Sequence, residues 1–108
     1  MTKTSHNLIM NSLEELKAVD TKILSLKDIS SFTDIMIITS GTSSRHMSAI
    51  SDKIQENFKE KSIPIISVEG KGSSEWVLLD LGDIVVNIMS KSARELYDLE
   101  SLWDPDLL

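Results

Sequence analysis

The segment Trp76-Val77-Leu78-Leu79-Asp80-Leu81-Gly82-Asp83-Ile84-Val85-Val86-Asn87-Ile88-Met89 restricts the fold more than any other part of this chain. It reads as two strands around a Gly82-Asp83 turn. Glycine at the first turn position suits a type II′ hairpin, which needs a positive φ there. A two-residue loop sets the register: Leu81 opposite Ile84, Leu79 opposite Val86 and Val77 opposite Ile88. Side chains alternate between faces, so this register gives one wholly apolar face that belongs in a core. The other face carries Trp76, Leu78, Asp80, Val85, Asn87 and Met89, mixing large apolar groups with a carboxylate and an amide. Either a helix covers that second face or part of it is a binding patch.

Elsewhere, Ile35-Met36-Ile37-Ile38-Thr39 is nearly continuous in apolar residues, as a strand buried on both faces would be. Thr21 to Leu26 and Ile63 to Val68 read as further strands, with Pro64 confining the second to an edge or a strand start. Apolar spacing predicts a helix from about Ser5 to Val19 (Ile9, Leu13, Leu16). It predicts another through Met47, Ile50, Ile54 and Phe58, with Lys53, Glu56, Lys59 and Glu60 off the stripe. A last helix, Ser92 to Trp103, places Leu96, Leu99 and Trp103 at i, i+3 and i+7, before Pro105 ends regular structure. A length of 108 residues fits one domain. There is no Cys, which excludes disulfides and thiolate chemistry. With no signal-peptide pattern and no apolar run of about 20 residues, a soluble cytoplasmic protein is expected.

Charge is divided unevenly. From Glu69 onward there are nine acidic and three basic residues, net −6; before it there are eight of each, net zero. Both tryptophans and the only tyrosine lie in the acidic part. Such a surface suits a basic protein partner and does not suit bare nucleic acid, whose phosphates need Lys and Arg.

Catalytic chemistry finds little support. Gly41-Thr42-Ser43-Ser44 joins a strand to a helix and could hold a phosphate, as the Gly-Ser turn of nucleotidyltransferases does. No Gly-Lys-Ser/Thr follows it, and no pair of close carboxylates lies on the neighbouring strand to bind Mg²⁺. Ordinary helix capping is the preferred reading. His6 and His46 lack the companions of a metal set, and no serine sits in a nucleophile elbow. No catalytic residue, metal or cofactor is therefore expected, and the chain is read as a non-enzyme.

Several segments carry a family resemblance: Ser30-Ser31-Phe32-Thr33-Asp34, Thr39-Ser40-Gly41-Thr42-Ser43-Ser44-Arg45-His46, Val68-Glu69-Gly70, Glu75 to Asp80, Gly82 to Val86, and Arg94 to Trp103. In that order the chain closely resembles the ribosomal silencing factor family, also called the YbeB/Iojap family. It departs at Asn87, where the family usually has His, at Met89-Ser90, where an aromatic and Pro are usual, and near Ile35 and Met36. The resemblance implies a single α/β domain, a mixed sheet of about five strands with flanking helices, and a nucleotidyltransferase-like topology without catalytic carboxylates. It also implies binding to ribosomal protein L fourteen of the large subunit, which blocks joining with the small subunit and represses translation when nutrients are scarce. Large-subunit assembly is the alternative role, and a nucleotidyltransferase-like enzyme a more distant one. A homodimer is compatible with it; membrane association and sequence-specific nucleic-acid binding are not expected. The expected contact residues are Trp76, Leu79, Asp80, Tyr97, Leu99 and Glu100. The strand alternation by itself would put Leu79 in the core. Trp103 is expected to anchor the last helix.

Overall fold

A computed structural model describes residues 2–28 and 33–102, without the side chains of Thr2, Glu100 and Leu102. Ser30-Ser31-Phe32 of the family segments, Trp103 and Pro105 lie outside the described residues. The elements run α1 (Thr2–Glu15), β1 (Val19–Ser25), β2 (Ile35–Ser40), α2 (Ser44–Glu60), β3 (Ser67–Glu69), β4 (Trp76–Asp80), β5 (Ile84–Met89), α3 (Lys91–Tyr97) and α4 (Leu99–Leu102). Among the described residues, five strands form one mixed sheet in the order β1-β2-β5-β4-β3. Only β2 and β5 are parallel; every other neighbouring pair is antiparallel.

The hairpin register is the one its sequence dictates. Val77 pairs with Ile88 and Leu79 with Val86, and the Leu81 N–H donates to the Ile84 carbonyl at 2.9 Å. Gly82 takes φ +90°, the positive value a type II′ turn requires at that position. Val77, Leu79, Ile84, Val86 and Ile88 then share a buried cluster with Ile37, with Ile9 and Leu13 of α1, and with Met47, Ile50, Ile54 and Phe58 of α2. The four apolar positions spaced 3, 4 and 4 along α2 are all fully buried. Ser43 caps this helix, its Oγ accepting from the His46 N–H at 3.0 Å.

Three of the expected boundaries that shift do so at or next to a left-handed residue. The first helix ends at Glu15, short of Val19, because Lys17 turns left-handed (φ 57°). The Lys17 N–H then bonds the Glu14 carbonyl and the Ala18 N–H the Leu13 carbonyl, a Schellman closure. Ser62 (φ 55°) ends α2 in the same way, through Ser62 to Lys59 and Ile63 to Phe58 bonds. The chain from Ile63 to Ile65 then stays outside the sheet, the Ile66 N–H bonds the Asp80 carbonyl of β4 at 2.9 Å, and of the expected strand Ser67–Glu69 forms β3 at the sheet's edge. Asp98 (φ 46°) breaks the expected C-terminal helix into α3 and α4. The i, i+3, i+7 stripe does not survive that break: Leu96 is 76% exposed while Leu99 packs against the sheet.

Left-handed backbone is costly for a residue with a Cβ, roughly 1 kcal/mol or more. Lys17→Gly and Ser62→Gly should therefore each raise stability, by up to about 1 kcal/mol once the extra freedom of the unfolded chain is set against it. Urea unfolding would register this as a higher midpoint at unchanged slope; a lowered midpoint would contradict it.

Candidate docking face

The two sheet faces are covered unequally. The helices α1 and α2 seal the face described above. The opposite face presents Leu24 of β1, Met36 and Ile38 of β2, Val85, Asn87 and Met89 of β5, and Trp76, Leu78 and Asp80 of β4, as the registers require. Ile38, Met89 and Ala93 of α3 form a small buried cluster there, with Leu24, Met36, Trp76 and Leu99 packed against it. The α3 and α4 helices thus cover one end of this face, while Leu24, Met36, Leu78, Val85 and Asp80 remain half-buried.

Trp76 is at the margin of this covered end. Its ring lies 5.2 Å from that of Tyr97, centroid to centroid, at 44°, a tilted pairing within the favourable range for aromatic rings. Its Nε1–H donates to Asn87 Oδ1 at 2.9 Å. Trp76 is half-buried, and Tyr97 is 49% exposed. The helix carrying Tyr97 is capped by Ser90, whose Oγ accepts from the Ala93 N–H at 3.0 Å. Arg94 fastens it to the sheet, Nη1 donating to Ser40 Oγ at 3.1 Å and to the Val19 carbonyl at 3.4 Å.

Asp80 is also on this face, and one of its oxygens is occupied: Oδ1 accepts from the Gly82 N–H at 3.0 Å, closing the hairpin turn. Glu69 on β3, Glu75 before β4, and Glu95 and Asp98 at α3 are exposed. Glu69, opposite Leu78, and Asp80 thus put carboxylates beside the half-buried apolar strip, and Glu95 and Asp98 lie on or next to the helix that carries Tyr97; Lys22 of β1 shares the face.

Of the six expected contact residues, Trp76, Asp80, Tyr97 and Leu99 gather on this side. Leu79 does not. It is fully buried on the helix-covered face, because odd-numbered residues of β4 point away from Trp76 and Asp80; Leu78 occupies the place expected of it. The Glu100 side chain is not described, though its backbone belongs to α4. This face also holds Leu78, Met36 and Val85, which are not among the six. The alternation that displaced Leu79 was sufficient to find Leu78 and Val85.

Gly70 supports Trp76 from the loop before β4. It has φ +77°, and a Cβ there would run into the Trp76 carbonyl oxygen. Gly70→Ala is therefore expected to destabilise the fold by about 1–3 kcal/mol and to disturb the Trp76 environment. Near-ultraviolet circular dichroism alongside thermal melting would check both effects. An unchanged melting temperature would contradict the contact.

The strand–turn–helix junction serves structure. His46 accepts the Thr42 N–H on Nδ1 at 2.9 Å and donates from Nε2 to the Leu16 carbonyl at 2.6 Å, tying α2 to the end of α1. Beside it runs an open cleft of about 930 Å³. Lys22, Lys91 and Arg94 line the cleft, but so do Asp20, Glu95 and Asp98, which offset the attraction an anion would feel. No group of three or more His, Cys, Asp or Glu is placed to hold a metal among the described residues. None of their helices is long and apolar enough to cross a membrane.

A sequence profile described as "Ribosomal silencing factor during starvation" matches residues 2–106. The chain is 41% identical over 95 residues to the ribosomal silencing factor of Haemophilus influenzae, covering 88% of this chain and 93% of that one. A Mus musculus protein named "Mitochondrial assembly of ribosomal large subunit protein 1" is 32% identical over 100 residues, 90% of this chain and 44% of its own length. A crystal structure of a Chromobacterium violaceum protein is similar with a TM-score of 0.89 and 36% identity, over 94% of this chain and 84% of that chain.

Proposed function

Since this chain belongs to the ribosomal silencing factor family, we propose that its half-open sheet face docks on ribosomal protein L fourteen of the large subunit. Occupying the surface where the small subunit would join represses translation sterically, in the cytoplasm, and requires no catalysis. The observation that carries this reading is a single surface holding an aromatic pair, Trp76 and Tyr97, beside half-buried Leu78, Met36 and Val85, with carboxylates around them. Aromatic anchors in an apolar strip supply affinity. The surrounding acidic groups supply orientation and speed of encounter with a basic partner.

Co-sedimentation with purified large subunits tests it. Asp80→Lys should weaken binding about fivefold or more at low salt, with the difference shrinking as salt rises. Asp80→Asn keeps the acceptor for the Gly82 N–H and removes only the charge, so it separates electrostatics from turn integrity. Equal binding by Asp80→Lys and the wild type at low salt would remove Asp80 from the contact. No binding by the wild type would sink the function.

A second reading, large-subunit assembly, is favoured by the match to the mouse protein whose name states that role. Ribosome profiles of a deletion strain distinguish the two. Accumulated large-subunit precursors indicate assembly, whereas normal subunits that join too readily in starved cells indicate silencing.

A further inference from the structure

Asn87 has no obvious reason to be where it is. It lies on β5, the strand flanked by both β2 and β4, and it is 1% exposed. Its cross-strand partners are Ile38 and Leu78, and its neighbours on the same face are Val85 and Met89. Burying an amide in such a setting costs stability unless every polar atom is paired. Here only half are. Oδ1 accepts the Trp76 Nε1–H at 2.9 Å, while Nδ2, also buried, has no partner among the described residues. A leucine at this position would fill similar space and leave no amide donor unpaired. Stability of the fold therefore does not account for the residue. What the amide provides is an acceptor at a fixed point beneath the indole.

We propose that Asn87 is a positioning residue for the docking face: it pins the Trp76 indole in the orientation in which it pairs with Tyr97, so that the anchor is already ordered before the partner arrives. This rests on the docking role proposed above and adds the reason an amide is retained inside an apolar strand. Tyr97 holds the ring from one side and Asn87 holds its N–H from below. Together they remove the rotational freedom that binding would otherwise have to remove.

The physical signature is a pair of effects with opposite signs. Asn87→Leu abolishes the acceptor and the unpaired donor together. Its melting temperature should equal or exceed that of the wild type, while its affinity for large subunits falls by roughly five- to twentyfold. The Trp76 indole ¹⁵N–¹H resonance, told apart from that of Trp103 by a Trp103→Phe control, should exchange with water faster. Asn87→His offers a ring nitrogen as a replacement acceptor. In that variant, binding and slow indole exchange should be regained together or lost together.

Wild-type affinity in Asn87→Leu with a freed indole would overturn the proposal. So would a melting temperature that falls in step with binding, which would mark Asn87 as structural only. If the wild-type protein fails to bind large subunits, the docking role falls. The indole exchange rates would still decide whether Asn87 holds Trp76.

Discussion

Trp76→Ala is expected to weaken binding to the large ribosomal subunit by at least about 2 kcal/mol, roughly thirtyfold, while leaving the protein folded. The size follows from what the indole does. It is the largest side chain on the open face, half-buried in the free protein, paired with Tyr97 and hydrogen-bonded to Asn87. Anchors of this kind dominate interface energies because they are large and already ordered. Removing it also leaves Asn87 Oδ1 without its donor, so some loss of stability is expected too. The helix-covered core is untouched, which keeps the variant soluble enough for co-sedimentation. Affinity within a factor of two or so of the wild type would show that the indole is not an anchor.

Phe58→Ala is expected to have the largest effect on stability, about 3–5 kcal/mol. Phe58 is fully buried at the last of the four stripe positions of α2, where that helix packs with α1 on the sheet. Domains of this size have a total stability of roughly 5–15 kcal/mol, so the loss is a large fraction of the whole. Urea or thermal unfolding would show it, with a melting temperature lowered by roughly 15 °C or more. A shift of a few degrees would mean that the core closes around the cavity or that Phe58 packs loosely. The two substitutions should therefore separate cleanly: one mainly removes binding, the other mainly removes the fold.

Much of the architecture is legible in the sequence where one local rule acts alone. The Gly82-Asp83 turn fixes the hairpin register, and the register fixes both faces of β4 and β5. The α2 stripe gives its buried residues one by one. Legibility stops where a helix ends without glycine. Lys17, Ser62 and Asp98 all adopt the left-handed conformation that glycine usually signals, so nothing in their side chains announces the stop. The consequences reach the candidate site. The break at Asp98 releases Leu96 to solvent and lets Leu99 pack on the sheet, which a continuous helix with both on one stripe does not imply. Leu79 illustrates the reverse case. Period-two alternation puts it in the core, and the structure agrees; only the segment resemblance placed it among the contacts. The Asn87–Trp76 bond joins positions eleven residues apart across a hairpin. It is compatible with the register, yet no propensity or motif points to it.

Hydroxyl-radical footprinting of the protein, free and bound to purified large subunits, tests the central claim most directly. If the open sheet face is the docking surface, Trp76, Tyr97 and Met36 lose reactivity on binding. Met10 of α1, half-buried on the helix-covered side of the sheet, keeps its reactivity. Unchanged reactivity at Trp76 and Tyr97, with protection at Met10 or along the exposed side of α2 instead, would contradict it.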